Sequence, residues 1–323
     1  MSNKEIYQRT LKFSLFRFLY SFLAFIVVAV IGAIGFMVTE KTFDNGLIGM
    51  GIGIVVGLIA LAIFLRYVSY TYKAGQIAMM TQAITTGSLP KDVVGEGKRV
   101  VKERFATVAL FFAATGIIKG IFNQLGRGMT KLGEALGGDS GKNVASVISA
   151  VIQVVIAYLC DCCLGWVFYR KEQSSAKATL EGAVLFFRHG KTFARNMGRV
   201  FGMGLASLLV IGGAFSGIFY LIASRFNEFF VILAGEFTEI FAESEKGFTD
   251  LLQSPSSLMV VSAVVAGLIV WGILHTTLVQ PFVLTGVLRN YLESGMHDIP
   301  TESSFAMLDS KSAKFKKLHS EAA

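Results

Sequence analysis

The chain has 323 residues, of which 53% are hydrophobic and only 16% are charged. Soluble domains are on average about 45–50% apolar and about 25% charged, so this composition argues against a soluble enzyme and indicates a polytopic membrane protein. The formal net charge of +8 would suit a nucleic-acid partner, but its distribution along the chain indicates membrane topology instead.

The first long apolar run covers residues 13–38. It is too long for the apolar part of a signal peptide, which has about 7–15 residues. The sequence MVTEKTFDN at its end also has no small-x-small cleavage pattern. We therefore predict a first membrane span that is retained.

Six segments in all are long and apolar enough to cross about 30 Å of hydrocarbon, which takes about 20 residues. They lie near 14–38, 46–67, 105–124, 145–169, 200–224 and 257–288. Proline is scarce, at 4 residues, and glycine is abundant, at 34, which suits long, closely packed membrane helices. The predicted fold is one all-α membrane domain of six transmembrane helices.

The charges between these segments alternate along the chain. Lys and Arg outnumber acids by seven to three in residues 66–104 and by seven to two in 169–199, whereas residues 226–256 contain one Lys and six acids. Because an excess of Lys and Arg marks cytoplasmic loops, we predict that both termini lie in the cytoplasm. The positive charge is then a topology signal, and no nucleic-acid partner is expected.

Three connecting segments are predicted to be amphipathic helices at membrane surfaces. Residues 228–252 place apolar side chains at helical spacing among acids, and residues 176–197 do the same among basic residues. Residues 296–323 form a basic cytoplasmic tail that we expect to bind anionic lipids. The candidate lipid contacts are Lys311, Lys314, Lys316 and Lys317. Residues 85–98 are rich in turn formers and are predicted to be a loop.

All three cysteines stand in the stretch AYLCDCCLGWVFYR, residues 157–170. On a helix, Cys160 and Cys163 share a face while Cys162 points away. Two thiols are too few for a closed tetrahedral site, so no metal is predicted. The cysteines are interpreted as small packing residues, with S-acylation of Cys162 or Cys163 as the alternative.

Asp161 lies within the fourth predicted span. It precedes Arg170 by nine residues, which corresponds to a depth of about 13 Å. An ionisable group at that depth usually faces the bundle interior or a water-filled cavity, and it suggests a functional site. The alternative is a carboxylate that reaches the interface or pairs with a neighbouring basic residue.

The sixth span carries a second polar set, in GILHTTLVQPFVLTGVL. His275 stands fourteen residues before Arg289, near mid-depth. The neighbouring polar residues are Thr276, Thr277 and Gln280. Pro281 cannot donate a hydrogen bond to residue 277, so a kink is predicted there. Freed carbonyls beside these side chains suit a polar intramembrane site, and the alternative role is hydrogen bonding between helices.

Two glycine-rich runs predict close helix packing rather than nucleotide binding. Gly53 with Gly57, and Gly213 with Gly217, are small-xxx-small pairs. The GKT at 190–192 lacks the glycine that a P-loop requires five positions earlier, where Leu185 stands. HExxH and GxSxG patterns do not occur, and the chain has four His. We therefore expect neither an enzyme nor a cofactor.

Two segments resemble the choline transporter-like family. The first is SAKATLEGAVLFFRHGKTFARNMGRVFGMGLASLLVIGGA (175–214), in which Asn196, Arg199 and Val200 match the family's Asn-x-x-Arg-Val pattern. The second is QPFVLTGVLRNYLESG (280–295), which is similar to the family's last span. The resemblance implies a helical membrane fold with both ends in the cytoplasm and a choline-like substrate.

The leading prediction is a transporter or channel-like protein for a small organic cation or another small solute. Asp161, His275, Thr276, Thr277 and Gln280 would then line its path. The alternative is a non-catalytic scaffold or assembly protein that binds lipid or partner proteins. A transporter requires Asp161 and His275 to converge on a hydrated cavity, whereas a scaffold would have them isolated, paired or pointing at lipid headgroups. Either protein would be a multi-pass component of a plasma or inner membrane, with lipid and a second copy of the chain as expected partners.

Overall fold

A computed structural model of the protein describes residues 1–43, 46–105, 116, 119–120, 141–240, 253–310 and 313–322. These residues form helices joined by turns. The helices are α1 Asn3–Phe43, α2 Gly46–Thr86, α3 Val93–Arg104, α4 Gly141–Tyr169, α5 Ser175–Arg188, α6 Gly190–Ser207, α7 Gly213–Ala223, α8 Asn227–Ile240, α9 Pro255–Leu274, α10 Gln280–His297, α11 Glu302–Asp309 and α12 Ala313–Ala322. The predicted all-helical class is confirmed for the described residues.

Four stretches of helix are long and apolar enough to cross a membrane. They are 3–43, 46–63, 198–238 and 255–297. The last two stretches contain π-helical turns at Leu208–Gly212 and His275–Val279, and the third also contains a 3₁₀ turn at Ser224–Phe226. These four stretches include the first, fifth and sixth predicted spans and most of the second. The third predicted span, 105–124, lies almost entirely outside the described residues.

The chain divides into two compact units, where the sequence predicted a single membrane domain. Unit 1 comprises residues 1–14, 70–200 and 281–323, and unit 2 comprises residues 15–69 and 201–280. The two units differ in how far their large apolar side chains are exposed. In unit 2, Ile34 is 55% exposed and Leu209 is 66% exposed, whereas in unit 1 Trp166 and Val167 are fully buried. Unit 2 therefore has the surface expected of lipid-facing helices, and unit 1 has a buried core.

The fourth predicted span falls in this core. The described side chains of α4 from Ile156 to Phe168 are buried, apart from the half-buried Ala157. A helix that is apolar all round is either a membrane span or a buried core helix. The described half of α4 has the burial of a core helix.

The ends of α2 and α3 explain why residues 85–98 are not a loop throughout. Helix α2 continues to Thr86 and ends where Gly87 adopts a left-handed φ of 71°, a conformation that glycine accepts readily. Asp92 then caps α3 by accepting a hydrogen bond from the N–H of Gly95 at 2.9 Å. The irregular segment is thus limited to residues 87–92.

Helices α1 and α2 approach closely along a glycine face. A Cβ added at Gly53 would lie 2.8 Å from the carbonyl oxygen of Ile31, and one added at Gly57 would lie 3.4 Å from Val28. At Gly53 the added atom would clash with backbone, so glycine is required there, whereas at Gly57 it would make an ordinary van der Waals contact. The two predicted packing glycines of α2 therefore lie against α1.

The described contact between α7 and α9 lies one residue away from the second predicted glycine pair. A Cβ at Gly213 or Gly217 would have no described atom within 4 Å. The close contact is made instead by Ser216, which packs on Gly267 of α9, and by Gly212, which lies against Trp271. Gly212 and Ser216 have the same four-residue spacing, but they occupy the adjacent helix face.

The C-terminal segment packs on protein. Leu180 and Val184 of α5 form a buried cluster with Phe305 and Leu308 of α11 and Phe315 of α12. The segment 176–197 and the tail were each predicted to contact lipid through an apolar face. In the structure these two apolar faces pack against each other. Lys316 and Lys317 are exposed, while Lys311 and the side chain of Lys314 lie outside the described residues.

Candidate functional site

The predicted polar residues of the sixth span surround a π-helical turn in unit 2. Pro281 has no N–H to donate, and the turn immediately before it, His275–Val279, is π-helical. The N–H of Gln280 donates to the carbonyl of His275, five residues back. The helix then continues as α10. The missing N–H of Pro281 is thus accommodated by one wide turn, a feature often found at functional sites.

Ser207 is the residue around which this polar site is organised. Its hydroxyl oxygen lies 3.0 Å from Nδ1 of His275, accepts a hydrogen bond from Nε1 of Trp271 at 3.1 Å, and donates to the carbonyl of Gly204 at 2.8 Å. Ser207 directly precedes the other π-helical turn, Leu208–Gly212. The hydrogen bond between Ser207 and His275 thus joins the starts of the two π-helical turns, since Ser207 directly precedes one turn and His275 is the first residue of the other.

The direction of the Ser207–His275 hydrogen bond depends on the tautomer of His275. The Ser207 hydroxyl has one proton, which it can donate to the carbonyl of Gly204 or to Nδ1 of His275. A serine nucleophile needs the arrangement in which the histidine accepts the serine proton. In either arrangement the hydrogen bond joins α6 to the π-helical turn that precedes α10.

Arg17 brings a positive charge to the same site from α1. Its side chain is buried, and one guanidinium nitrogen donates to the carbonyl oxygen of Thr276 at 3.2 Å. That carbonyl belongs to the π-helical turn, where regular helix hydrogen bonding is interrupted. A charged donor on such a carbonyl is among the stronger hydrogen bonds in a protein.

The threonine hydroxyls of the predicted path are used within their own helix. Thr276 donates to Gly272 at 2.7 Å, and Thr277 donates to Ile273 at 2.6 Å. Thr276 is exposed, Thr277 is buried and Gln280 is half-buried. The two hydroxyl protons thus satisfy backbone carbonyls, as threonine commonly does within helices.

Asp161 belongs to the other unit and has a different environment. Its Oδ1 lies 2.6 Å from Nζ of Lys73 on α2, and its side chain is only 4% exposed, against 32% for the lysine. The ion pair neutralises a carboxylate within the core of unit 1. This matches the interpretation in which Asp161 pairs with a basic residue.

The cysteines beside Asp161 are free and buried. Cys163 lies 3.6 Å from the hydroxyl of Tyr291, which donates its proton to the carbonyl of Gly182 at 2.6 Å. In the described part of the chain, no three His, Cys, Asp or Glu side chains are grouped closely enough to hold a metal ion.

Several residues that stabilise unit 1 were missed by the sequence analysis. The buried Glu181 accepts hydrogen bonds from Nε1 of Trp166 at 3.0 Å and from Nε of Arg170 at 3.1 Å. Arg104 donates to the carbonyls of Val167, Arg170 and Gln173. In the sequence analysis, Glu181 and Arg104 contributed only to the charge counts of the predicted loops 169–199 and 66–104. The signal available in the sequence was weak, namely a Trp and an Arg shortly before the acid.

The burial of Arg104 lowers the pKa of its guanidinium, because the charged form loses hydration. Three carbonyl acceptors compensate for that loss and hold the segment that follows α4. Arg104 therefore has a structural role at this turn.

Comparison with known proteins adds no further assignment. No family model matches the sequence, no curated protein matches it, and no solved structure matches the fold. The resemblance to the choline transporter-like family therefore stays a prediction.

Proposed function

We propose that the protein is a non-catalytic membrane scaffold or assembly protein that anchors a basic cytoplasmic unit and binds lipid or partner proteins. The observation that carries this proposal is the ion pair between Asp161 and Lys73. A transport path needs its ionisable groups hydrated and accessible. Asp161 is instead neutralised by a lysine and surrounded by the apolar side chains of unit 1.

The packing of the spans supports the same proposal. Between 11% and 22% of the residues in the most apolar window of each spanning stretch are buried. Helices that bury so little of themselves leave most of their surface to lipid or to other proteins. A solute path enclosed by one copy of the chain would require much more contact among the helices.

The distribution of charge indicates what the cytoplasmic unit binds. Unit 1 contains 25 Lys and Arg against 14 Asp and Glu, a net charge of +11, whereas unit 2 contains 5 against 8, a net charge of −3. Each basic residue close to an anionic leaflet is worth about 1 kcal/mol. We propose anionic lipid headgroups as the main partner of unit 1, with the exposed Lys316 and Lys317 among the contacts.

The topology that goes with this function has both termini in the cytoplasm. If the third and fourth predicted spans do not cross the membrane, the number of crossings falls from six to four. Both numbers are even, so the two termini lie on the same side in either case. We propose four crossings, because the described half of α4 has the burial of a core helix. Residues 66–199 would then be one cytoplasmic segment.

Cysteine labelling distinguishes four crossings from six. Ser140→Cys is placed in a background in which all three native cysteines are Ala, and intact cells are treated with an impermeant maleimide. Four crossings require labelling only after the membrane is opened, whereas six crossings require labelling from outside. Ser256→Cys is the matched control and should react in intact cells under both topologies.

The proposed function is tested with the full chain in nanodiscs of neutral lipid. We expect these nanodiscs to co-sediment with anionic vesicles and to be released by salt, because screening weakens exposed charge interactions. A variant with Lys316→Gln and Lys317→Gln should bind less, and Lys41→Gln in unit 2 is the control. Equal binding to neutral and anionic vesicles would contradict the proposal.

Transport is the second candidate function, and the site around Ser207 favours it. Two π-helical turns meet there with Arg17 and His275, and such turns are frequent at functional sites. The test is uptake of choline, as the probe of a small organic cation, by vesicles that contain the protein. Saturable uptake that is lost in both Asp161→Asn and His275→Ala, with both variants folded, would replace the scaffold by a transporter.

A further inference from the structure

Unit 2 contains a cavity of about 410 Å³ between the α7–α8 segment and α9. Four phenylalanines, Phe219, Phe226, Phe229 and Phe230, face Ala263 and Ala266 across it. Among the described residues that line the cavity, Ser262 has the only polar side chain. We call this space the phenylalanine cavity. Its volume falls within the range of about 300–1,000 Å³ that is usual for small-molecule sites.

The phenylalanine cavity opens towards the surroundings of the spans. At its rim Phe226 is 60% exposed and Ile222 is 49% exposed. Both walls belong to stretches apolar enough to cross a membrane, 198–238 and 255–297. Stretches of this kind pass through hydrocarbon, so a lipid chain is an apolar molecule that can reach the opening.

Arg225 directly precedes Phe226 of the cavity rim and is a candidate for the polar contact of a bound molecule. It lies in the 3₁₀ turn Ser224–Phe226, directly after the apolar run 200–224, and its side chain is exposed. Among the described residues, no acid forms an ion pair with it. Arginine binds phosphate with two parallel hydrogen bonds, which makes it well suited to a phospholipid headgroup at the membrane interface.

We propose that the phenylalanine cavity holds one acyl chain of a membrane glycerophospholipid whose phosphate binds Arg225. The aromatic walls fit an extended hydrocarbon chain, and the two alanines of α9 leave the volume for it. The cation of Arg225 is adjacent in the chain to the cavity rim, and it would bind the headgroup while the acyl chain enters the cavity. This inference does not depend on the function proposed above.

The test uses the full chain in membranes that contain a phosphatidylcholine with a diazirine in its acyl chain. After irradiation, the cross-linked peptides are mapped by mass spectrometry. We expect cross-links to residues 219–230 and 262–266. Ala266→Phe, which fills the cavity, should reduce them roughly tenfold, a factor that corresponds to about 1.4 kcal/mol. Val265→Phe is the matched control, because Val265 is half exposed on the same helix and does not line the cavity.

A second arm separates the headgroup from the chain. Diacylglycerol with the same diazirine chain lacks the phosphate, so Arg225→Gln should weaken cross-linking of the phospholipid and leave that of the diacylglycerol unchanged. Lys41→Gln is the control for a lost positive charge. Equal cross-linking in Ala266→Phe and Val265→Phe would overturn the acyl-chain site. Loss of a dimer, rather than of cross-links, in Ala266→Phe would show that a second copy of the chain occupies the cavity.

Discussion

The backbone N–H of Leu47 donates a hydrogen bond to Oε2 of Glu236 at 3.0 Å, and the N–H of Gly46 donates to Oε2 of Glu40 at 2.8 Å. The first two N–H groups of α2 are thus capped by carboxylates from two other helices. The N-terminus of a helix lacks internal acceptors for these groups and favours negative charge. Beneath the cap, Leu47 packs with Phe230 and Leu233 of α8. The two carboxylates therefore hold one end of unit 2 together.

Replacing Glu236 by Ala is expected to lower the free energy of unfolding by about 1 kcal/mol, the usual effect of removing a helix cap. Glu228→Ala on the same helix is the control, because Glu228 is exposed and its carboxylate has no hydrogen bond to described residues. The measurement is thermal unfolding in detergent. Equal melting temperatures for the two variants would show that the carboxylate of Glu236 contributes nothing as a cap.

The ion pair in unit 1 predicts an asymmetry between its partners. Lys73→Met leaves the nearly fully buried carboxylate of Asp161 without the lysine and should cost about 3 kcal/mol, the lower end of the range for a broken buried pair. Asp161→Asn leaves a lysine that is a third exposed and can be hydrated, so it should cost less. The combination Lys73→Met with Asp161→Leu should be more stable than Lys73→Met alone. A double variant that is the least stable of the three would contradict this account.

The glycine face of α2 provides a matched pair of substitutions. Gly53→Val would place a side chain against the carbonyl of Ile31 and should destabilise the protein by about 1–3 kcal/mol, as overpacking does. Gly51→Val on the same helix should be nearly neutral, because a Cβ there meets no described atom within 4 Å. Thermal unfolding of both variants decides the point. If Gly51→Val were as harmful as Gly53→Val, the cause would be helix propensity and not packing.

The docking of the C-terminal helices predicts a local effect of Phe315. This side chain is fully buried against Phe305 and α5, and removal of a buried phenylalanine side chain typically costs about 3–5 kcal/mol. Phe315→Ala should therefore release α12 and expose residues 298–322 to protease, with unit 2 unaffected. Met307→Ala is the control, since Met307 is 36% exposed. Unchanged cleavage in Phe315→Ala would mean that α12 is held by other contacts.

Properties that depend on short stretches could be predicted from the sequence. The helical class, the apolar stretches around 14–38, 46–67, 200–224 and 257–288, and the irregularity before Pro281 follow from local composition and from the missing N–H of proline. The packing of Gly53 and Gly57 follows from four-residue spacing. Each of these requires knowledge of only one helix.

Properties that depend on partners far along the chain were decided by the tertiary structure alone. Asp161 meets Lys73 from 88 positions earlier, and Ser207 meets His275 from 68 positions later. A small-residue pattern on 212–217 does not say which face meets α9, so Gly212 and Ser216 could not be distinguished from Gly213 and Gly217. An apolar helix such as α4 has the same composition whether lipid or protein surrounds it. The tertiary structure shows that the segment Ile156–Phe168 of α4 is surrounded by protein, because other parts of unit 1 pack around it.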